Sequence, residues 1–149
     1  MRVEHNLFSV RRHIDEPRHE ECAVRNMSFA LTTAQILDQS KDVTRRLGWE
    51  FLKVGDLLQP VKKCMGLRPG ESIQRLGCPI RVVGLRREPL SMMTEDPDYG
   101  FDEVRREGFA DHPTYRWPSE WVVMFCGSHK GCMPLTVITR IEFAYEVPL

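Results

Sequence analysis

The stretch Gln39-Ser40-Lys41-Asp42-Val43-Thr44-Arg45-Arg46, running into Leu47-Gly48-Trp49, decides how the rest of the chain is read. Its core, Lys41 to Arg46, gathers an amine, a hydroxyl and two guanidiniums into six residues. An apolar, helix-like segment precedes it, and Phe51-Leu52-Lys53-Val54-Gly55-Asp56 follows. If Asp42 to Arg46 is extended, side chains alternate, so Asp42, Thr44 and Arg46 share one side and Arg45 faces outward on the other. Lys41 stands at the head of the strand, long and flexible enough to swing toward Thr44. An amine within reach of a hydroxyl and a guanidinium suits an anion, or a carbonyl group about to be attacked. The plain alternative is a solvated basic strand.

At 149 residues the chain fits one domain, with a core that needs no metal or disulfide support. Its composition, 42% hydrophobic and 28% charged, is that of a globular protein and excludes a fibrous or fully disordered one. No apolar run approaches the roughly 18 residues of a membrane span, and Met1 to Arg25 carry no signal-peptide core. The expectation is a cytoplasmic protein without a membrane partner. Five cysteines at irregular spacing argue against a disulfide framework. Net charge is zero, but it is unevenly spread: Lys41–Arg87 holds 11 Lys/Arg against 4 Asp/Glu, and Glu88–His112 holds 2 against 8. Such a basic half permits a nucleic-acid partner, and the acidic half can equally fold over it and neutralise it.

Residues 1–26 read as an extension, with five basic and five acidic residues and poor periodicity. Three of the five histidines lie there (His5, His13, His19), at a spacing that fits no compact ligand pattern. The folded domain is expected over 27–149. Met27 to Leu31 reads as a strand, and Thr32 or Thr33 caps a helix carrying Ala34, Ile36 and Leu37. After the Lys41–Arg46 strand, Leu57–Lys62 reads as another, with Pro60 marking an edge or bulge. Ile80–Glu88 is a β-branched strand. Short helical stretches are expected near Phe101–Arg106, ending at Gly108, and from Pro118 to Gly127. In the last strand, Val137, Ile141, Phe143, Tyr145 and Val147 are expected on one face, and Arg140, Glu142 and Glu146 on the other. The sum is an α+β domain: a small, partly closed β-barrel of five or six strands with two or three peripheral helices.

Cys126-x-x-His129-x-x-Cys132 supplies three zinc-type ligands within seven residues, half a structural site unless Cys64 or Cys78 arrives through folding. Pairing either cysteine with His129 as a nucleophile finds no orienting acid nearby. Gly66-x-x-x-Gly70 lacks the Lys-Ser/Thr of a phosphate loop. No cofactor and no metal site are therefore assigned. Trp49 and Phe51 beside Arg45 and Arg46 have the makings of a base-stacking platform, though aromatics after a turn more often plug a core. Glu107-Gly108-Phe109 offers a carboxylate that, set beside Lys41, would hold its ammonium, while burial and Arg46 would favour the neutral amine.

These features, taken in order, resemble the ASCH domains, a branch of the PUA-like β-barrels. The likeness rests on the helix ending in Ile36-Leu37-Asp38, on Lys41-x-x-Thr44-x-Arg46, on Lys53-x-Gly55-Asp56, on the strand ending in Arg87-Glu88, on Glu107-Gly108-Phe109, and on the closing strand. It spans roughly Met27 to Val147 and is nearest to small single-domain bacterial and phage members. One departure stands out: the family often places Gly and a basic residue before the Lys, and here Gln39-Ser40 stand there. The resemblance implies binding of RNA, single-stranded nucleic acid or a modified nucleoside, with Lys41, Arg45, Arg46, Lys53, Arg86 and Arg87 lining a cleft and Trp49 stacking. One enzymatic branch removes the acetyl group of N(4)-acetylcytidine with a Lys, a Thr and a Glu. By motif these fall on Lys41, Thr44 and Glu107. A protein-interaction barrel with a structural polar strand is the third alternative.

Overall fold

The computed structural model describes residues 24–149. The histidine-bearing extension lies almost wholly outside the described residues. Five strands form one mixed sheet: β1 (Arg25–Ser28), β2 (Val43–Arg46), β3 (Leu57–Val61), β4 (Ile80–Pro89) and β5 (Val137–Tyr145). Among the described residues four helices accompany them: α1 (Thr33–Leu37), α2 (Met92–Glu95), α3 (Pro97–Arg106) and α4 (Pro118–Gly127). The spatial order is β1-β3-β4-β5-β2, with β1 parallel to β3 and the other pairs antiparallel. The architecture is thus α+β as expected, but among the described residues the sheet is not closed into a barrel, because no ladder joins β1 to β2. A side chain spans that gap instead: Arg46 Nη2 donates to Ser28 O at 2.6 Å.

Local chemistry explains the boundaries. β1 begins at Arg25, two residues before the expected start, and ends at Ser28, so Leu31 is left exposed. Pro60 sits where β3 has run past β4, whose register with it covers only Leu57 and Leu58, so no ladder bond needs the missing N–H. α3 starts earlier than its apolar residues suggest. The Asp96 side chain accepts from Tyr99 N, Pro97 fills the first turn, and Arg105 and Arg106 complement the C-terminal dipole. The short α2 was not legible in the sequence. It packs so closely on α3 that a Cβ on Gly100 would lie 1.9 Å from Met93 O.

The core falls into two clusters on either side of the sheet. Met27, Phe29, Ile36, Leu58, Val82, Ile141 and Phe143 belong to the first, and Leu90, Met93, Val104, Phe109, Trp121, Phe125 and Ile138 to the second. The last strand departs from its expected pattern as a result. Ile141 and Phe143 are buried as expected, Val137 and Val147 are exposed, and Ile138 and Arg140 are buried under the helices. No helix among the described residues is long and apolar enough to cross a membrane.

Candidate active site

β2 sits at the sheet edge with its N-terminal end tied to the end of α3. Asp42 N donates to Arg106 O at 3.0 Å, and the Asp42 carboxylate pairs with the Arg106 guanidinium. Glu107 is the next residue, and Gly108, at φ +98°, turns the chain immediately after it. That turn is tight: a Cβ on Gly108 would stand 3.1 Å from Gln35 Cβ. The backbone thereby brings Lys41 and Glu107 together across 66 residues, as the carried-over motif implies. Lys41 Nζ donates to Glu107 Oε1 at 2.8 Å and to Glu107 O at 2.6 Å, with both side chains buried.

Gln39, at the position where the resemblance implies glycine, has φ 63°, the left-handed conformation that glycine adopts freely. Its strain, on the order of 1–2 kcal/mol, is set against two bonds to the C-terminal tail: Gln39 Nε2 to Val147 O at 2.8 Å and Leu149 N to Gln39 Oε1 at 3.2 Å.

Thr44 lies beyond Lys41 on the same wall, and its hydroxyl oxygen accepts from Arg46 Nε at 3.1 Å. Lys41, Thr44, Arg45, Arg46 and Glu107 line a single open cavity of about 180 Å³, together with the rings of Phe29, Phe109, Trp121 and Phe125 and with His129. The Arg46 guanidinium lies 4.9 Å above the Phe29 ring, and Lys41 Nζ lies 5.8 Å from the same centroid. Burial pushes Lys41 below the ordinary lysine value; the charge and hydrogen bond of Glu107 work against this, and Arg46 and Arg45 add to the lowering. An amine that holds its proton less tightly than an ordinary lysine, sharing a cavity with a hydroxyl already hydrogen-bonded to a cation, has the chemistry of a base for that hydroxyl.

The other predicted residues are placed differently. Arg45 is buried, not outward-facing, because α3 covers its side of the strand: its Nη2 meets Glu103 Oε1 at 2.5 Å and Glu88 Oε2 at 3.0 Å. Arg140 stands opposite Arg45 in the β2–β5 register, and Glu103 lies between these like charges, accepting from Arg140 Nε at 2.5 Å. Trp49, Lys53, Arg86 and Arg87 do not line the cavity. Trp49 packs on Phe51 at 5.4 Å and against the first core cluster. Lys53 is exposed, Arg86 is paired with Glu88 at 2.8 Å, and Arg87 reaches Glu50 at 3.6 Å. Phe29, Trp121, Phe125 and His129 also line the cavity, and nothing in the sequence signals that their elements meet there.

Among the described residues no group of three or more His, Cys, Asp or Glu is arranged to hold a metal ion. His129 Nδ1 bonds Phe125 O at 2.8 Å, and the Cys126 and Cys132 sulfurs are 3.5 Å apart. Burial, with the neighbouring Cys132, pushes the Cys126 thiol up to about 11, which suits a packed thiol better than a nucleophile.

No family model matches the sequence, and no curated protein matches it. Solved structures do match the fold. An ASCH domain from Lactobacillus crispatus superposes with a TM-score of 0.50 at 16% identity, over 93% of this chain and 91% of that one. A DUF984 protein from Enterococcus faecalis superposes with a TM-score of 0.53 at 13% identity, over 92% of this chain and 82% of that one. The chain has the fold of an ASCH-type domain.

Proposed function

We propose that the cavity binds a modified nucleoside and hydrolyses an acyl amide on its base, N(4)-acetylcytidine being the type of substrate. The observation that carries this reading is the convergence of Lys41, Thr44 and Glu107 on one cavity, with the Lys41–Glu107 contact at 2.8 Å. At about 180 Å³ the cavity is smaller than the roughly 300–1,000 Å³ of drug-sized pockets, so it suits one ring and its acyl group. Its aromatic walls offer flat faces to a planar base.

In this mechanism Thr44 Oγ1 attacks the acyl carbon and passes its proton to Lys41 Nζ. The electron pair displaced onto the carbonyl oxygen is stabilised by the Arg46 guanidinium. Collapse breaks the C–N bond, and Lys41 returns the proton to the departing amine, leaving an ester on Thr44. Water, deprotonated by Lys41, then attacks the ester; acid is released and the hydroxyl is restored. Glu107 anchors Lys41 at both of its bonds throughout.

One observation favours an RNA-borne form of the same substrate. A neighbouring cavity of about 290 Å³ shares Ala30 with the first and is lined by Lys62 and Lys63, which could take a phosphate, though Glu71 shares that wall. Among the described residues no continuous basic track crosses the site, because Arg81, Arg86, Arg87 and Arg106 are each engaged by carboxylates. The test is to incubate the full chain with N(4)-acetylcytidine, free and within an oligonucleotide, at low and high salt, and to separate the products. Cytidine release that disappears in Thr44→Ala and Lys41→Ala is expected. Turnover at the wild-type rate in either variant would falsify the assignment, and a steep salt dependence confined to the oligonucleotide would favour the RNA-borne form.

A further inference from the structure

Glu107 is held by two basic side chains, one on each oxygen. Lys41 Nζ stands 2.8 Å from Oε1 and Arg45 Nη1 stands 3.4 Å from Oε2. Arg45 is fully enclosed, and its contacts run inward through Glu103 and Glu88 to Tyr99 Oη at 3.2 Å. The remaining carboxylate oxygens of this interior are met by Arg140 Nη2 on Glu103 Oε2 at 2.9 Å and by Arg86 Nε on Glu88 Oε1 at 2.8 Å. Three glutamates (Glu88, Glu103, Glu107) thus meet three guanidiniums (Arg45, Arg86, Arg140) besides Lys41, and Arg140 also reaches Glu142 at 3.4 Å. Arg106 approaches Glu103 only at 3.9 Å and is occupied by Asp42 and Glu142.

We propose that Arg45 is a positioning residue that supplies the counter-charge of Glu107, so that Lys41 can stand beside that carboxylate as an uncharged amine with its lone pair available. The bonding of Lys41 fits. A neutral amine has two N–H groups, and Nζ has two protein acceptors among the described residues, Glu107 O and Glu107 Oε1. An ammonium has three N–H groups, and no third protein acceptor stands within hydrogen-bond distance among the described residues. The other charged or titratable neighbours are Arg46 on β2 and His129 across the cavity, with the Tyr145 hydroxyl donating to Lys41 O at 2.6 Å. Neither Arg46 nor His129 can balance Glu107 by hydrogen bonding, because neither contacts it. The Arg45 Nε is buried without a hydrogen-bond partner among the described residues. Interiors of this kind are often matched or bettered in stability by apolar side chains, so stability alone does not account for the arrangement.

The inference rests on the hydrolase reading only for what the lone pair does, and its test needs no substrate. Lysine in the full chain is labelled with ¹³C, the Lys41 signal is identified by its loss in Lys41→Met, and its titration is followed by NMR. The variants are Arg45→Met, Arg45→Lys, and Arg45→Met combined with Glu103→Gln. The double variant removes one charge of each sign and keeps the interior balanced should the single variant fail to fold. Its Glu103 carboxylate touches neither Lys41 nor Glu107 in the native protein. Loss of Arg45 is expected to raise the proton affinity of Lys41 on the order of tenfold or more, and Arg45→Lys to restore most of the wild-type midpoint. A Lys41 midpoint unmoved in the double variant overturns the positioning role whatever the protein hydrolyses. A midpoint that moves while N(4)-acetylcytidine stays intact upholds that role and removes only the hydrolase reading.

Discussion

Arg45 and Arg46 are adjacent, chemically identical and buried to different ends. Arg45 faces helix α3 and meets three carboxylates, at 2.5, 3.0 and 3.4 Å. Arg46 faces the cavity and has no carboxylate within salt-bridge distance among the described residues; its bonds go to Thr44 Oγ1 and Ser28 O, over the ring of Phe29. The alternation of a β-strand is enough to separate them. On one side it seals a cation among carboxylates, and on the other it leaves a cation bonded only to neutral oxygens beside the cavity. That difference, more than the basic composition of the strand, distinguishes a site from a scaffold.

The largest effects are expected on the cavity side. Thr44→Ala and Lys41→Ala should each lower the release of cytidine from N(4)-acetylcytidine by about 10²–10⁴-fold, the range for losing a positioned acid–base group. The wild-type kcat/KM should rise with pH through a midpoint below the ordinary lysine value, because the amine must be unprotonated to act. Glu107→Gln should move that midpoint lower still, since the carboxylate is the group that raises it. A midpoint that moves up in Glu107→Gln breaks the comparison at its active side.

The sealed side should answer in stability. Arg45→Met leaves buried glutamates without their partner and should destabilise the fold by about 3–5 kcal/mol, read from urea unfolding. Arg46→Met removes charge-assisted bonds to Thr44 and Ser28 and should be milder, about 1.5–3 kcal/mol. Equal losses would erase the distinction between the two arginines.

Acid should separate the regions next. Burial alone would raise Glu103, but the hydrogen bonds and charges of Arg140 and Arg45 outweigh it and hold the carboxyl at about 2. The folded state then binds fewer protons at Glu103 than the unfolded state does. This contribution is complete above the ordinary glutamate value of about 4.3 and is lost as pH falls from there toward about 2. The urea midpoint should decline over that window, with a smaller decline in Glu103→Gln. At the smallest end, Lys53→Ala, exposed and remote from the cavity, should change stability by no more than about 0.5 kcal/mol and leave turnover as it was.

Much of the site was legible in the sequence because it is local: the Lys-x-x-Thr-x-Arg spacing places its residues once the strand is granted. Glu107 was reachable only through the motif, and the contact itself depends on the Asp42–Arg106 backbone bond. What the sequence hid was burial on the second face. Arg45 and Arg140 look like solvent residues until α3 supplies Glu103 and the end of β4 supplies Glu88, and charge patterning along one strand carries no trace of carboxylates arriving from elsewhere. Closure was over-read for the same reason. Five short strands are consistent with a barrel, and only the pairing shows that β1 and β2 remain edges bridged by an arginine.

The central claim is that Thr44 carries the acyl group during the reaction. Mixing the protein with N(4)-acetylcytidine, quenching in acid and mapping the digested chain by mass spectrometry tests it directly. An acetyl ester on the peptide containing Thr44, transient in the wild type and absent from Thr44→Ala, is the predicted result. Cytidine release with no acyl group ever found on that peptide, or release that persists in Thr44→Ala, would contradict it.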